Sequence, residues 1–175
     1  MTNILNPQEM ADQAKKTYQA GDYVQAAQEF AGAASVYAGL ADALMSAEMK
    51  NNQSVALLLA GEAQAALDAV DGTEKVFADS EDFRRQGMAL ANQASALQAL
   101  KKLKDAMEYF QRASVTLEKA GEGDLRADVM QQLAMLHLRR FKFYDAVLTL
   151  QSGLACVKNP NLKQRFMKKI LFVHL

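Results

Sequence analysis

The stretch Leu90–Ala113, LANQASALQALKKLKDAMEYFQRA, decides the fold because its features return along the chain at a fixed spacing. Its triplet Asn-Gln-Ala at 92–94 corresponds to Asp-Gln-Ala at 12–14, Asn-Gln-Ser at 52–54 and Gln-Leu-Ala at 132–134. The alanine at 106 likewise corresponds to alanines at 26, 66 and 146. A constant period of about 40 residues is the signature of a protein built from stacked structural repeats.

The composition is typical of one globular domain. The 175 residues are enough to bury a core, and half of them are hydrophobic, which argues against disorder. The formal net charge of zero argues against a broad basic field, so we expect no nucleic-acid partner. The charge is divided, however, because residues 1–87 hold 13 acidic and 6 basic side chains, whereas residues 88–175 hold 7 acidic and 14 basic ones. This division is either ordinary helix solvation or a dipolar rod that orients a charged partner.

Nothing in the sequence indicates a secreted or membrane-spanning protein. The single cysteine, Cys156, excludes an internal disulfide framework. Residues 1–10 lack the basic residue and apolar run of a secretory signal, and the longest aliphatic run, Val55–Ala60, is too short to span a bilayer. We therefore expect a cytoplasmic protein with no integral membrane segment.

The periodicity of the apolar residues predicts helices throughout. Asn6 and Pro7 are typical of a helix N-cap and first helical position. We predict an all-α protein, a helical-repeat superhelix (α-solenoid) of about four antiparallel helix pairs at 7–38, 41–78, 80–120 and 124–158, followed by a capping helix at 161–175. The whole chain, 1–175, is predicted to form one domain. Glu81 and Asp82 fall in the predicted first turn of the third pair, and Asp71-Gly72-Thr73 is predicted to weaken a helix of the second.

Superposing the four units gives columns of equivalent residues that keep their size. Two columns are small: Ala26, Ala66, Ala106, Ala146 and Ala14, Ser54, Ala94, Ala134. Two are large and mostly apolar: Phe30, Val70, Phe110, Leu150 and Tyr37, Phe77, Leu117, Val157. Small residues let paired helices approach closely, and large ones fill the space between pairs. No single pair could bury its apolar surface alone, so stability must come from stacking.

This pattern resembles the tetratricopeptide repeat (TPR). In the first unit the resemblance rests on Ala14, the turn Gly21-Asp22-Tyr23, and then Ala26, Phe30 and Ala33. The 40-residue period and the Asn-Gln-Ala triplet resemble the long-helix subclass found in kinesin light chains and related polarity adaptors. The resemblance covers residues 7 to about 157, although Ala63 and Leu103 replace the aromatic residue usual near the turn. It implies a right-handed superhelix whose first helices line a concave surface that binds other proteins.

We find no pattern of catalytic or metal-binding residues. The two histidines, His137 and His174, lie in different predicted helices, and His137 falls in the core column of Thr17, Leu57 and Leu97. A hydrogen-bonded packing histidine explains this position better than a catalytic one. No cluster of cysteine, histidine and carboxylate residues has metal-ligand spacing. We therefore predict a protein that is not an enzyme and uses neither a metal nor another cofactor.

The candidate site is a ladder of polar side chains on the first helices. Four equivalent residues form it: Asp12, Asn52, Asn92 and Gln132. Carboxamides both donate and accept hydrogen bonds, so this ladder could grip the backbone of an extended peptide. Simple solvation of an exposed helix face explains it equally well. The candidate peptide-binding positions beside the ladder are Lys15, Tyr18, Ser95, Gln98, Met135 and Arg139.

The C-terminal segment predicts an amphipathic helix. Leu162, Phe166, Ile170 and Val173 share one face, which we expect to cover the last apolar surface of the array. Additional apolar residues suggest a homodimer contact through this helix, and lying on an anionic membrane ranks below both. The resulting functional hypothesis is a scaffold or adaptor that binds a peptide or helix of another protein. The alternative is a structural protein that self-associates through its terminal helices.

Overall fold

The computed structural model describes residues 6–158, 160 and 162–171, without the side chain of Lys163. These residues form ten helices and no strand. The helices are α1 (Pro7–Gln19), α2 (Tyr23–Gly39), α3 (Ala43–Leu59), α4 (Ala63–Val70), α5 (Thr73–Asp79), α6 (Phe83–Ala99), α7 (Leu103–Lys119), α8 (Gly123–Arg139), α9 (Phe143–Ala155) and α10 (Leu162–Leu171). The predicted all-helical repeat solenoid is confirmed.

The connectors of the array recur with a period of 20 residues, half of the sequence repeat. Seven of them place their middle residue in the left-handed region, with φ between 57° and 87°: Gly21, Ala41, Gly61, Glu81, Lys101, Gly121 and Phe141. The prediction for Glu81 and Asp82 is therefore corrected. Glu81 is a connector residue, Asp82 is the N-cap, and α6 begins at Phe83, because a helix that follows one of these connectors starts two residues after the left-handed position.

The second helix of the second pair is broken into α4 and α5, as predicted at Asp71-Gly72-Thr73. Gly72 adopts a left-handed φ of 74°, which glycine tolerates without a steric penalty. The hydroxyl of Thr73 donates to the carbonyl of Val70 at 2.8 Å, so part of the interrupted backbone regains a partner. The break divides the outer wall of the second pair into two short helices.

The core runs along the array through the predicted columns. The alanines at 26, 66, 106 and 146 are at most 1% exposed, so the paired helices do approach closely at these positions. Phe110, the large residue of the third unit, is also almost fully buried, with Leu117 beside it. Truncating such a phenylalanine to alanine costs about 3–5 kcal/mol. The first helices of the four pairs are α1, α3, α6 and α8, and α3 packs directly against α6.

The two ends of the array differ. In α1 the position equivalent to the buried Met49, Ala89 and Val129 holds the exposed Glu9, so a polar residue replaces an apolar one at the N-terminal end. A terminal repeat with a polar outer face is the usual way to end a stacked array. The C-terminal end is less polar, because Phe143 in α9 is exposed.

Helix α10 forms, but it packs through a different face from the one expected. Leu162, Phe166 and Ile170 are 84%, 64% and 55% exposed, so the prediction that this stripe covers the array is wrong. The inward face instead holds Met167 and Lys168, and the ammonium of Lys168 donates to the carbonyl of Val157. The side-chain amide of Gln151 in α9 also donates to the backbone carbonyl of Leu171 at 2.6 Å. Val173, the fourth residue of the stripe, and the ends of the predicted capping segment lie outside the described residues.

Candidate functional site

A groove between α6 and α8 is the strongest candidate for a binding site. Its volume is about 240 Å³, and α7 supplies part of its floor. Three of the predicted site residues line it, namely Asn92, Ser95 and Gln132. The remaining lining residues are Met88, Ala91, Phe110, Leu117, Leu125, Asp128 and Val129. The groove therefore combines an apolar floor with a rim that can form hydrogen bonds.

Asp12 and Gln132 of the ladder are exposed, but its two asparagines are not fully exposed as an exposed helix face would require. Asn52 and Asn92 are half-buried, and the amide nitrogen of Asn92 donates to Oδ1 of Asn51 at 2.8 Å. Asn51, in α3, is buried. Because the side chain of Asn92 already bonds a residue of the neighbouring helix, only part of the hydrogen-bonding capacity of Asn92 remains for a partner.

The other predicted site residues are spread along the first helices. On α1, the ammonium of Lys15 lies 3.7 Å from the carboxylate of Asp12, and both side chains are about half exposed. The ring of Tyr18 lies 5.5 Å from that of Tyr23, tilted by 58°. Gln98 is half-buried, and its Oε1 has no hydrogen-bond partner in the described part of the chain. On α8, both Met135 and Arg139 are exposed.

An ion-pair network joins α3 to α6. The guanidinium of Arg85 contacts Glu48 at 2.9 Å and Asp82 at 2.6 Å. Burial raises the pKa of Asp82, but the hydrogen bonds and charge of Arg85 outweigh it and hold that pKa below its ordinary value. Burial alone would lower the pKa of Arg85, and the bonds to Asp82 and Glu48 raise it instead. Arg85 therefore links two helices, and the carboxylates of Glu48 and Asp82 neutralise its charge.

Sequence reasoning missed Asp128, which lies on the wall of the groove. Burial raises the pKa of its carboxyl group, and the neighbouring charge of Asp124 raises it further. The residue as a whole is exposed, so its carboxylate can reach a partner that brings a hydrogen-bond donor or a positive charge. The signal was present in the sequence, since residue 128 lies four positions before Gln132 and therefore on the same helix face.

His137 occupies the core position predicted for it, but without the expected hydrogen bond at Nδ1. The residue is 8% exposed, and Nδ1 has no hydrogen-bond partner among the described residues. The nearest carboxylate oxygen, on Asp145, lies 3.8 Å away. Burial lowers the pKa of His137, Asp145 opposes this, and Lys142 and Arg140 lower it further. The second histidine, His174, lies outside the described residues.

The described residues show no metal centre and no helix suited to crossing a bilayer. Within that part of the chain, no three residues among histidine, cysteine, aspartate and glutamate are grouped so that they could hold a metal ion. None of the helices there is long and apolar enough to span a membrane.

Comparison with solved structures identifies the fold. A crystal structure of nearly identical TPR-like repeats, from a provisionally assigned kinesin light chain of Podosopora anserina, matches 97% of this chain and 88% of its own with a TM-score of 0.74. A single-substitution variant of the same repeats matches over the same shares with a TM-score of 0.75. Both are 14% identical to this chain. No family model and no curated protein matches it. The predicted resemblance to TPR repeats of the kinesin light chain type is confirmed at the level of the fold.

Proposed function

We propose that the chain is a non-enzymatic protein-interaction module that holds a peptide or helix of another protein in the groove between α6 and α8. The observation that carries this proposal is the combination of an apolar floor with a polar rim in one groove. Phe110 and Leu117 reach the floor between the two first helices, while Asn92, Ser95 and Gln132 stand on the rim. Peptide sites commonly use apolar contacts for affinity and a few polar groups for orientation.

The rim indicates which partner the groove would accept. Gln132 is exposed and makes no hydrogen bond within the described part of the chain, so its carboxamide is free to bond a peptide backbone. Asp128 adds a carboxylate to the same wall, and no basic side chain is among the described residues that line the groove. We therefore expect a segment with one apolar residue that enters the groove and a neutral or basic residue next to it.

Selection from a displayed library of random peptides tests the proposal without a known partner. The expected result is a family of enriched peptides that share one apolar residue and are depleted in acidic residues beside it. A library that yields no enriched peptides after repeated rounds would contradict the proposal. Enriched peptides that still bind a Ser95→Ala/Gln132→Ala double variant unchanged would also contradict it.

Self-association through α10 is a second candidate, and the exposed stripe on that helix favours it. Leu162, Phe166 and Ile170 lie on the outside of the array and could pack against a second copy. Sedimentation velocity over a range of concentrations tests this role. A homodimer that a Phe166→Ser variant abolishes would support it, and a monomer at all concentrations would exclude it.

A further inference from the structure

The connector between α8 and α9 differs from all the others in chemistry while keeping the same backbone. It belongs to the sequence Arg-Arg-Phe-Lys-Phe-Tyr at 139–144, and all six residues are exposed. Phe141 occupies the left-handed position and is 79% exposed. The corresponding residue in the other six connectors is Gly, Ala, Glu or Lys. A bulky residue at positive φ is a backbone outlier, and such outliers cluster at functional sites.

The exposed aromatic side chains form one group at this connector. The rings of Phe141 and Phe143 lie 6.4 Å apart in an edge-to-face arrangement, and Tyr144, the next residue along the chain, is 75% exposed. Folding gains little from rings left in water, and a left-handed phenylalanine destabilises the turn. The arrangement therefore suits an external apolar environment that receives these rings.

The same end of the array carries the positive charge of the chain. Residues 129–175 contain eight basic side chains and one acidic side chain, Asp145, a net charge of +7. Asp145 pairs with Lys142 at 3.5 Å, which leaves Arg139 and Arg140 beside the aromatic group. Basic residues next to exposed aromatic residues are the pattern of proteins that bind anionic membrane surfaces.

We propose that the α8–α9 connector is a peripheral docking site for an anionic phospholipid bilayer. Phe141, Phe143 and Tyr144 enter the interfacial region, and Arg139 and Arg140 contact the lipid headgroups. The exposed rings favour a bilayer over a peptide, because exposed rings can insert among lipid molecules, whereas a peptide needs a groove to hold it. The edge-to-face packing disfavours single-stranded nucleic acid, since base stacking needs open ring faces.

Vesicle sedimentation with the full chain tests the proposal. We expect binding to phosphatidylcholine vesicles that contain roughly 30% phosphatidylserine, weaker binding as salt rises, and none to phosphatidylcholine alone. An Arg139→Gln/Arg140→Gln variant should lower the partition coefficient by about fivefold for each charge removed. Absence of binding to the anionic vesicles would overturn the proposal.

Phe141→Gly separates membrane binding from folding, because the two should change in opposite directions. Glycine removes the strain at the left-handed position, so the melting temperature should rise. Loss of one inserted ring should lower the partition coefficient about tenfold. The matched control is Ala41→Gly, which relieves the same backbone conformation in another connector and should raise the melting temperature without altering lipid binding. Unchanged lipid binding by Phe141→Gly would overturn the proposal.

A tryptophan reporter locates the contact directly, because the chain contains no tryptophan. Phe141→Trp should show a blue-shifted emission with anionic vesicles and quenching by brominated lipids. Leu40→Trp, at an exposed connector near the acidic end, should show neither. A labelled single-stranded oligonucleotide and a polyglutamate peptide are tested as competing ligands. Binding to either without binding to the vesicles would assign the surface to nucleic acid or acidic protein and overturn the lipid site.

Discussion

Asn92 in α6 donates a hydrogen bond from its side-chain amide to Oδ1 of Asn51 in α3, at 2.8 Å. The two residues belong to different columns of the repeat, because Asn51 is not the ladder residue of its own unit. The bond joins two first helices beside the groove, which Asn92 also lines. The second and third repeats are thereby fixed to each other, while the third and fourth leave a groove between them.

Replacing Asn92 with alanine should lower the free energy of unfolding by about 1–2 kcal/mol, because Asn51 would remain buried without its partner. Urea denaturation measures the change. Gln132→Ala is the matched control at the equivalent position one repeat later. Its side chain is exposed, so the change there should stay within about 0.5 kcal/mol. Equal effects of the two changes would show that the Asn51–Asn92 bond does not stabilise the array.

Asp82→Ala should destabilise the protein by about 2 kcal/mol, since Asp82 both caps α6 and holds Arg85. Asp22→Ala removes a cap of the same kind from α2, where Asp22 has no arginine partner among the described residues, and should cost about 1 kcal/mol. Thermal or urea denaturation of both variants isolates the ion pair as the difference. If Asp22→Ala costs as much as Asp82→Ala, the pair with Arg85 contributes nothing.

The same pair predicts a pH dependence at the acidic end. The folded-state pKa of Asp82 lies below its ordinary value, so its charge stabilises the fold above the unfolded-state pKa of about 3.8. That contribution is lost as the pH falls through the folded-state pKa. Asp82→Asn keeps a capping oxygen but removes the charge. The stability difference between wild type and this variant should therefore be largest near neutral pH and disappear well below pH 3.8. A difference that is constant with pH would contradict this account.

Burial of His137 predicts that stability decreases as the solution is acidified below about pH 6.5. Its folded-state pKa lies below 6.5, so the unfolded chain takes up the proton first. The stability is complete above pH 6.5 and is lost as the pH falls toward the folded-state pKa, with a slope of at most about 1.4 kcal/mol per pH unit. Leucine stands at the equivalent positions 57 and 97. His137→Leu should therefore flatten the stability profile in this range, and an unchanged slope would assign the pH dependence to other groups.

Ala106→Leu should lower the free energy of unfolding by roughly 1–3 kcal/mol or more. Residue 106 is completely buried where α6 and α7 pack, and a larger side chain would force the helices apart. Thermal denaturation against an exposed control, Gln111→Leu, measures the effect. A normal melting temperature for Ala106→Leu would mean that this column does not set the distance between the paired helices.

Much of the fold could be predicted from the sequence because it depends on a repeated pattern. The small residues at 26, 66, 106 and 146 allow close helix packing, and their return at the same position in four repeats predicts that each repeat packs in the same way. The left-handed positions of the connectors were harder to predict from the sequence. Glycine signals the left-handed position at 21, 61 and 121, but Ala41, Glu81, Lys101 and Phe141 adopt the same conformation without that signal.

The candidate site was only partly predictable, since it depends on distances between repeats. The sequence placed Asn92 and Gln132 in one column, but it could not show that α3 approaches α6 closely enough for Asn51 to bond Asn92. Helix α10 gives a second example. Its hydrophobic spacing identified an apolar stripe, yet periodicity alone does not decide whether that stripe or the opposite face packs on α9.

Calorimetric titration of a display-selected peptide against groove variants tests the central claim most directly. Gln132→Ala removes a rim carboxamide without disturbing a described hydrogen bond, and Gln111→Ala changes an exposed residue of α7 outside the groove. We predict that Gln132→Ala weakens peptide binding by about 1–3 kcal/mol, whereas Gln111→Ala leaves it unchanged. Equal affinity of wild type and Gln132→Ala for every selected peptide would contradict the assignment of the groove between α6 and α8 as the binding site.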